Sequence, residues 1–241
     1  MGDGKQQAVR VAAVVLAAGS SSRMSGHDKI YAPLAGRPLL FYGLALFEEC
    51  AEVDAVVAVA APGSEKKLRR LASDYGFGKV RAVVAGGAAR RDSAAAGLAA
   101  AAALASPDAA VLIHDAARPL ATRALVRRLL AALAKADGAV PAVALVDTVK
   151  QIGDDGAVES ALNRDALRAV QTPQAFKLAA VAEAYQAAAR EGWDVTDDAA
   201  VLERAGGRVV TVEGERDNFK ITFPEDFARA EALLSHKKKG R

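Results

Sequence analysis

The chain carries one cysteine, Cys50, one tryptophan and two methionines in 241 residues, and aromatic residues make up only 5% of it. A single thiol forms no intrachain disulfide and no cysteine-based metal site, so packing alone must hold the fold, and a reducing, cytoplasmic setting is expected. With few rings to fill space, the core must come from Ala, Val and Leu among the 52% of hydrophobic residues, which suits helices laid on a parallel sheet. No uncharged run reaches the roughly 20 residues that a bilayer demands, and residues 1–8 lack the apolar stretch of a signal peptide, so a soluble protein with no membrane partner is expected. Charge of one sign is scarce as well. The excess is +3, and Lys237, Lys238, Lys239 and Arg241 supply four positive charges, leaving the remainder at −1. Residues 237–241 read as a solvated, disordered basic tail, and the neutrality of the rest offers no footprint for nucleic acid.

What is present is an alternation of short Val-rich runs with longer helical periodicity, without an internal repeat or a linker, so residues 1–236 read as one α/β domain. The alternation starts at Val9 with a first strand through Val14-Val15-Leu16 that ends in small residues. Further strands are expected at 53–61, 80–85, 109–114, 138–149 (this one near the sheet centre) and 208–213, with 167–172 returning toward the sheet. Helices are expected at 37–51, with Pro38 in the first turn and Cys50 on its apolar stripe, and at 64–75, with Ser64 as cap. Further helices are expected up to 105, then at 122–136, 178–191, 197–205 and 224–234. Residues 150–166 break the pattern. They are polar and carry Gly153-Asp154-Asp155-Gly156 as a turn, which predicts a β-arm; an isolated two-stranded ribbon is marginal, so such an arm is expected to embrace a second copy of the chain.

In an open parallel sheet, ligands bind beyond the carboxyl ends of the strands. Four segments end strands in this way: Ala17-Ala18-Gly19 through Lys29, the Gly86–Ser93 loop, Asp115, and the turn at Thr172. Ala17-Ala18-Gly19 is by itself a common strand end and matches neither the Rossmann glycine pattern nor the P-loop. Arg23 and Lys29 lie on a Ser/Gly-rich loop, where two isolated cations are either a phosphate clamp or ordinary surface charge. Asp115 is either a ligand for a hard cation bridging phosphates or a helix cap.

Taken together, Leu16-Ala17-Ala18-Gly19 with Arg23-Met24 and Lys29, Gly86-Gly87 with Arg90 and Ser93, and His114-Asp115-Ala116-Ala117-Arg118-Pro119 form the first part of a series. Asp147-Thr148-Val149-Lys150, Asn163-Arg164, Thr172-Pro173-Gln174, Thr196-Asp197-Asp198 and Asp217-Asn218-Phe219-Lys220-Ile221-Thr222 complete it. This series resembles the 2-C-methyl-D-erythritol 4-phosphate cytidylyltransferase family in order and spacing over nearly the whole chain.

The resemblance implies a Rossmann-like nucleotidyltransferase fold, mostly parallel with a projecting β-arm, and transfer of a cytidylyl group from CTP to 2-C-methyl-D-erythritol 4-phosphate with release of pyrophosphate, in the non-mevalonate route to isoprenoids. It implies that Arg23 and Lys29 hold the triphosphate, that Lys220 bridges the two substrates, and that Asp115 holds Mg²⁺. Ala17, Ala18, Gly19, Gly87 and Ser93 would meet the cytosine and ribose, while Arg118, Arg164, Thr172 and Thr196 would grip the methylerythritol phosphate. Arg164 would act from the arm in the neighbouring subunit's site, which implies a homodimer. The chain departs from the family at Ser21, where a second glycine is common, at Asp28 in place of a proline, in a loop between Arg23 and Lys29 about one residue short, and at Ala88 in place of an acidic residue. Two other readings share these motifs: a ribitol 5-phosphate cytidylyltransferase, and a nucleotide-binding protein without catalysis.

Overall fold

A computed structural model of the chain describes residues 9–19 and 29–239. The described elements begin with β1 (Val9–Ala17), a 3-10 turn (Lys29–Tyr31), β2 (Pro33–Leu34), β3 (Arg37–Pro38), α1 (Leu39–Glu48), β4 (Ala55–Ala60), α2 (Glu65–Asp74) and β5 (Val80–Ala85). They continue with α3 (Arg90–Leu104), β6 (Ala105–Asp115), α4 (Arg123–Ala132), β7 (Gly138–Ala144), β8 (Lys150–Ile152) and β9 (Val158–Ala161). The last group is a 3-10 turn (Arg164–Ala166), β10 (Arg168–Val170), β11 (Gln174–Lys177), α5 (Leu178–Glu191), α6 (Asp198–Arg204), β12 (Val209–Glu213) and α7 (Glu225–Lys239).

The main sheet runs β5-β4-β1-β6-β11-β7. β1, β4, β5 and β6 are parallel, β11 runs antiparallel to both β6 and β7, and β12 is parallel to β7. β10 and β11, joined through the cis Thr172–Pro173 peptide, follow each other along one edge of β7, and β12 takes the other edge. The chain therefore winds outward from β1 to β5, then returns to start again at β6, and the order reverses between β1 and β6. That reversal is where an open sheet leaves a crevice for ligand.

Alternation along the buried strands builds both layers of the core. Ala13, Val15 and Ala17 of β1 face Leu44 and Phe47 of α1, Leu68 of α2 and Leu129 of α4. Ala12, Val14 and Leu16 face Leu98 of α3, Val181 and Tyr185 of α5, and Leu202 of α6. Each fully buried Val or Leu contributes about 1.5–3 kcal/mol, which is how an aromatic-poor sequence holds a large sheet. A smaller cluster of Leu34, Leu39, Leu120, Ile221 and Ala230 seats α7 over the segment that carries Lys220.

The mostly parallel sheet and the arm agree with the sequence, while several boundaries differ. β7 ends at Ala144 and lies second from the edge, beside β12, because the antiparallel strand β11, which the sequence does not announce, is inserted between it and β6, while β10 falls within the stretch 167–172 expected to return to the sheet. Pro38 precedes α1 as its cap residue, closing the short β2–β3 ribbon, and Cys50 lies buried just past the helix end. Ser64 stands at the start of α2 but makes no side-chain cap. α7 continues to Lys239, into the basic run that reads as a disordered tail, since lysine is a good helix former and positive charge is favoured at a helix carboxyl end; residues 240–241 lie outside the described residues.

The arm is the β8–β9 ribbon, with Gly156 at φ +82° in its turn and Ile152, Val158 and Leu162 exposed in the single chain. Among the described residues no helix is long and apolar enough to cross a membrane.

Candidate active site

Three strand ends meet at the reversal point. β1 delivers buried Ala17 and then Ala18 and Gly19. β5 ends at Ala85, and the next amide, of Gly86, donates to Ala60 O at 2.8 Å. A Cβ placed on Gly86 would lie 2.4 Å from the Ala18 Cβ and 2.6 Å from Ser93 Oγ, so the first two loops touch at a point that only glycine fits. The turn that follows is held by the first turn of α3: Ser93 Oγ accepts the Gly87 N–H at 3.2 Å and donates to Ala89 O, and Asp92 accepts the Ala89 N–H at 3.0 Å. The start of α3 thus stands beside the end of β1, and a helix N-terminus favours anions.

Asp115 closes β6 and is 8% exposed. Its Oδ2 accepts from Lys220 Nζ at 2.8 Å, and its Oδ1 faces Arg90 Nε and Nη2, each at 3.2 Å. Burial pushes the carboxyl towards its neutral form, but the Arg90 and Lys220 cations override it and hold the group well below the usual carboxylate range. Asp115 is therefore ionised. Arg90 continues to Asp198, which it meets with both Nη1 and Nη2 at 3.0 and 2.8 Å, and the Tyr185 hydroxyl donates to the same carboxylate at 2.5 Å. Burial and that carboxylate push the Tyr185 phenol up, so it stays protonated and remains a donor.

Beneath Asp115 a chain of hydrogen bonds fixes the tautomer of a buried histidine. The Asp115 N–H donates to Thr172 Oγ1 at 3.0 Å, Thr172 Oγ1 stands 3.2 Å from His114 Nδ1, and His114 Nε2 stands 3.1 Å from Arg118 O. The hydroxyl donates to Nδ1 and Nε2–H donates to the carbonyl, which only a neutral imidazole satisfies. Burial pushes His114 down to about 4, in agreement with these partners.

The segment carrying Lys220 is fastened along its length. The Gln171 side-chain amide accepts from Glu215 N at 3.1 Å and donates to Glu215 O at 2.8 Å. Asn218 Nδ2 donates to Thr172 O at 2.9 Å, while Asn218 O accepts from Arg118 Nη1 at 2.8 Å. Ile221 N donates to Ala117 O, and Ile221 O accepts from Lys29 Nζ, both at 2.8 Å. Lys29 and Lys220 thus reach the same turn of chain although 191 positions separate them. Arg118 also keeps a buried Nε with no hydrogen-bond partner among the described residues.

The structure therefore groups Ala18, Gly87 and Ser93 in one cluster and Lys29, Asp115, Arg118, Thr172 and Lys220 in the next. Thr196 is exposed, two residues before Asp198 and so beside the Arg90 link. Arg164 stands apart on the exposed arm, where its guanidinium donates to Val146 O. Arg23 lies outside the described residues, as do Ser21 and Asp28. Asp198, His114 and Asn218 carry no separate role in the sequence analysis and stand there only within the quoted motifs, while Gln171 stands in none of them.

Among the described residues no three acidic, His or Cys side chains converge as a metal cage. The residues present still fit Mg²⁺ at a nucleotide, because such an ion is commonly held by one or two carboxylates with phosphate oxygens and water completing its shell, and Asp115 is a single ionised carboxylate.

The sequence profile of the family described as 2-C-methyl-D-erythritol 4-phosphate cytidylyltransferase matches residues 11–236. The enzyme of that description from Dehalococcoides mccartyi strain 195 is 42% identical over 232 residues, covering 96% of this chain and 98% of that one. The crystal structure of 4-diphosphocytidyl-2C-methyl-D-erythritol synthase from Anaerococcus prevotii superposes with a TM-score of 0.80 at 32% identity, covering 93% of this chain and 96% of that one. The 2-C-methyl-D-erythritol 4-phosphate cytidylyltransferase of Thermus thermophilus gives 0.74 at 37% identity, with 92% and 98% covered. The profile, the relatives and the shared sheet agree: this chain belongs to the 2-C-methyl-D-erythritol 4-phosphate cytidylyltransferase family.

Proposed function

We infer that the protein transfers a cytidylyl group from CTP to 2-C-methyl-D-erythritol 4-phosphate, forming 4-diphosphocytidyl-2-C-methyl-D-erythritol and pyrophosphate in the non-mevalonate route to isoprenoids. The observation that carries this reading is the meeting of Lys29, Lys220 and ionised Asp115 at the reversal point of the sheet. A phosphate monoester is already anionic at neutral pH and needs no strong base; its oxygen attacks the α-phosphate directly, and the difficulty is repulsion between anions and their alignment. The site answers with fixed cations.

Lys29 and Arg23 hold the triphosphate and stabilise the charge that builds on the α-phosphate, a preorganised term that removes a large part of such barriers. Lys220 stands between the two substrates, its ammonium aimed by Asp115. Asp115 would hold Mg²⁺ together with phosphate oxygens, and the ion supplies charge neutralisation on the leaving pyrophosphate. Ala17, Ala18, Gly19, Gly87 and Ser93 line the tight corner where Gly86 meets Ala18, a space suited to a pyrimidine. Arg118, Thr172 and Thr196 grip the polyol phosphate, the unpartnered Arg118 Nε fitting an anion. Arg164 completes the pocket of a second copy, whose surface would cover Ile152, Val158 and Leu162 of the arm in a homodimer. A cytoplasmic setting fits the lone free thiol of Cys50.

Purified protein given CTP, Mg²⁺ and either 2-C-methyl-D-erythritol 4-phosphate or ribitol 5-phosphate is expected to release pyrophosphate rapidly with the first only. Equal or faster release with the ribitol ester would replace the proposed acceptor, and release with neither would remove the enzyme reading.

A further inference from the structure

Arg90 is the first residue of α3, and its planar guanidinium spans two carboxylates from distant parts of the chain. On one side both terminal nitrogens lie on Asp198, whose side chain has no exposure and whose Oδ1 also takes the Tyr185 hydroxyl. The start of α6 is itself anchored, since the neighbouring Asp197 accepts the Ala200 N–H at 2.9 Å and the Gln174 side-chain amide at 2.9 Å. On the other side Nε and Nη2 lie on Asp115, whose second oxygen holds Lys220. The four charges alternate in a row: carboxylate, guanidinium, carboxylate, ammonium. Only a rigid fork meets two carboxylates at once; a lysine at this position reaches one of them.

We propose that Arg90 is a positioning residue of the reaction: anchored on Asp198, it fixes the carboxylate of Asp115 and through it the ammonium of Lys220. The assignment rests on the cytidylyltransfer reading above. Asp198 acts in it only through Arg90, at the far end of the row from the chemistry.

The test measures pyrophosphate release and thermal unfolding for the wild type, Arg90→Met, Arg90→Lys, and the double variant Arg90→Met with Asp198→Asn. In Arg90→Met, kcat is expected to fall about 10²-fold, the scale of a misplacement near 1 Å, with KM for CTP close to the wild-type value. Arg90→Lys is expected to stay near Arg90→Met, because charge without the fork leaves one carboxylate unheld. The double variant leaves no unpaired buried carboxylate, so it folds even where Arg90→Met does not, and it is expected to show the same loss of kcat. Wild-type kcat in the folded double variant, full recovery in Arg90→Lys, or a raised KM for CTP at unchanged kcat would each overturn the assignment. A wild-type protein that releases no pyrophosphate overturns the cytidylyltransfer reading, and the assignment with it.

Discussion

In the proposed reaction Lys29 serves the triphosphate as well as Ile221 O of its own chain, and a substitution separates these roles. Losing the bond to Ile221 O costs about 1 kcal/mol of stability, or a few degrees in Tm, whereas losing a cation aimed at the reacting phosphate costs orders of magnitude in rate. Lys29→Ala is therefore expected to fold normally by circular dichroism and to lose about 10²–10³ in kcat; near-wild-type turnover would remove it from the clamp. His114 makes a different prediction, about stability and pH. Its folded value is depressed, from 6.5 to about 4, so above 6.5 it costs nothing. As pH falls from 6.5 to 4 the unfolded chain takes up a proton that the folded chain refuses, and stability declines by about 3 kcal/mol. Asp115 acts in the same direction but lower, its contribution being lost only below its unfolded value of 3.8. Denaturant midpoints measured from pH 7 to 4 are expected to fall steeply in the wild type and less in His114→Gln; parallel curves would mean that His114 is not held neutral. Arg23, Lys29 and Asp115 were legible as candidates from their places on a Ser/Gly-rich loop and at a strand end, beside the readings of surface charge and helix cap, whereas Arg118, Arg164 and Lys220 were legible only through the family motifs. The Arg90–Asp198 pair was not, since 108 positions separate its members and nothing in a linear pattern joins them.

Among the elements, the buried parallel strands announced themselves as Val-rich runs, and β5 has the expected bounds. β11 escaped notice because its four residues are too few for a period and follow a turn. The β2–β3 ribbon escaped because two prolines stand within it. Ser64 shows the limit of capping rules: the residue type is right and the position is right, but the side chain makes no cap bond. The arm was legible from the Gly153–Gly156 turn and a polar stretch between apolar ones, and its exposed Ile152, Val158 and Leu162 are what a covering partner would bury. In the proposed dimer Arg164 serves the opposite subunit. Mixing an Arg164→Ala subunit with a Lys29→Ala subunit is therefore expected to restore part of the activity that each homodimer lacks, through the one site that inherits both wild-type residues. Absence of recovery after subunit exchange is confirmed would confine Arg164 to its own chain.

The molecule as a whole gathers its candidate site where the winding of the sheet reverses, and the pieces reach that point from every part of the sequence: β1, β5, β6, the turn after β10, and the strap beneath α7. The row at Asp115 holds carboxylates and cations, and the Thr172 hydroxyl and His114 imidazole beneath it are taken up in bonds to the Asp115 amide, to each other and to Arg118 O. This arrangement fits a single in-line displacement, with the acceptor phosphate itself as nucleophile. The stereochemical course at the α-phosphorus tests it most directly, using CTP carrying one sulfur on that atom, with 2-C-methyl-D-erythritol 4-phosphate as acceptor. Inversion of configuration with one pyrophosphate released per product is the predicted result; retention, or a protein that becomes labelled by CTP alone, would contradict it.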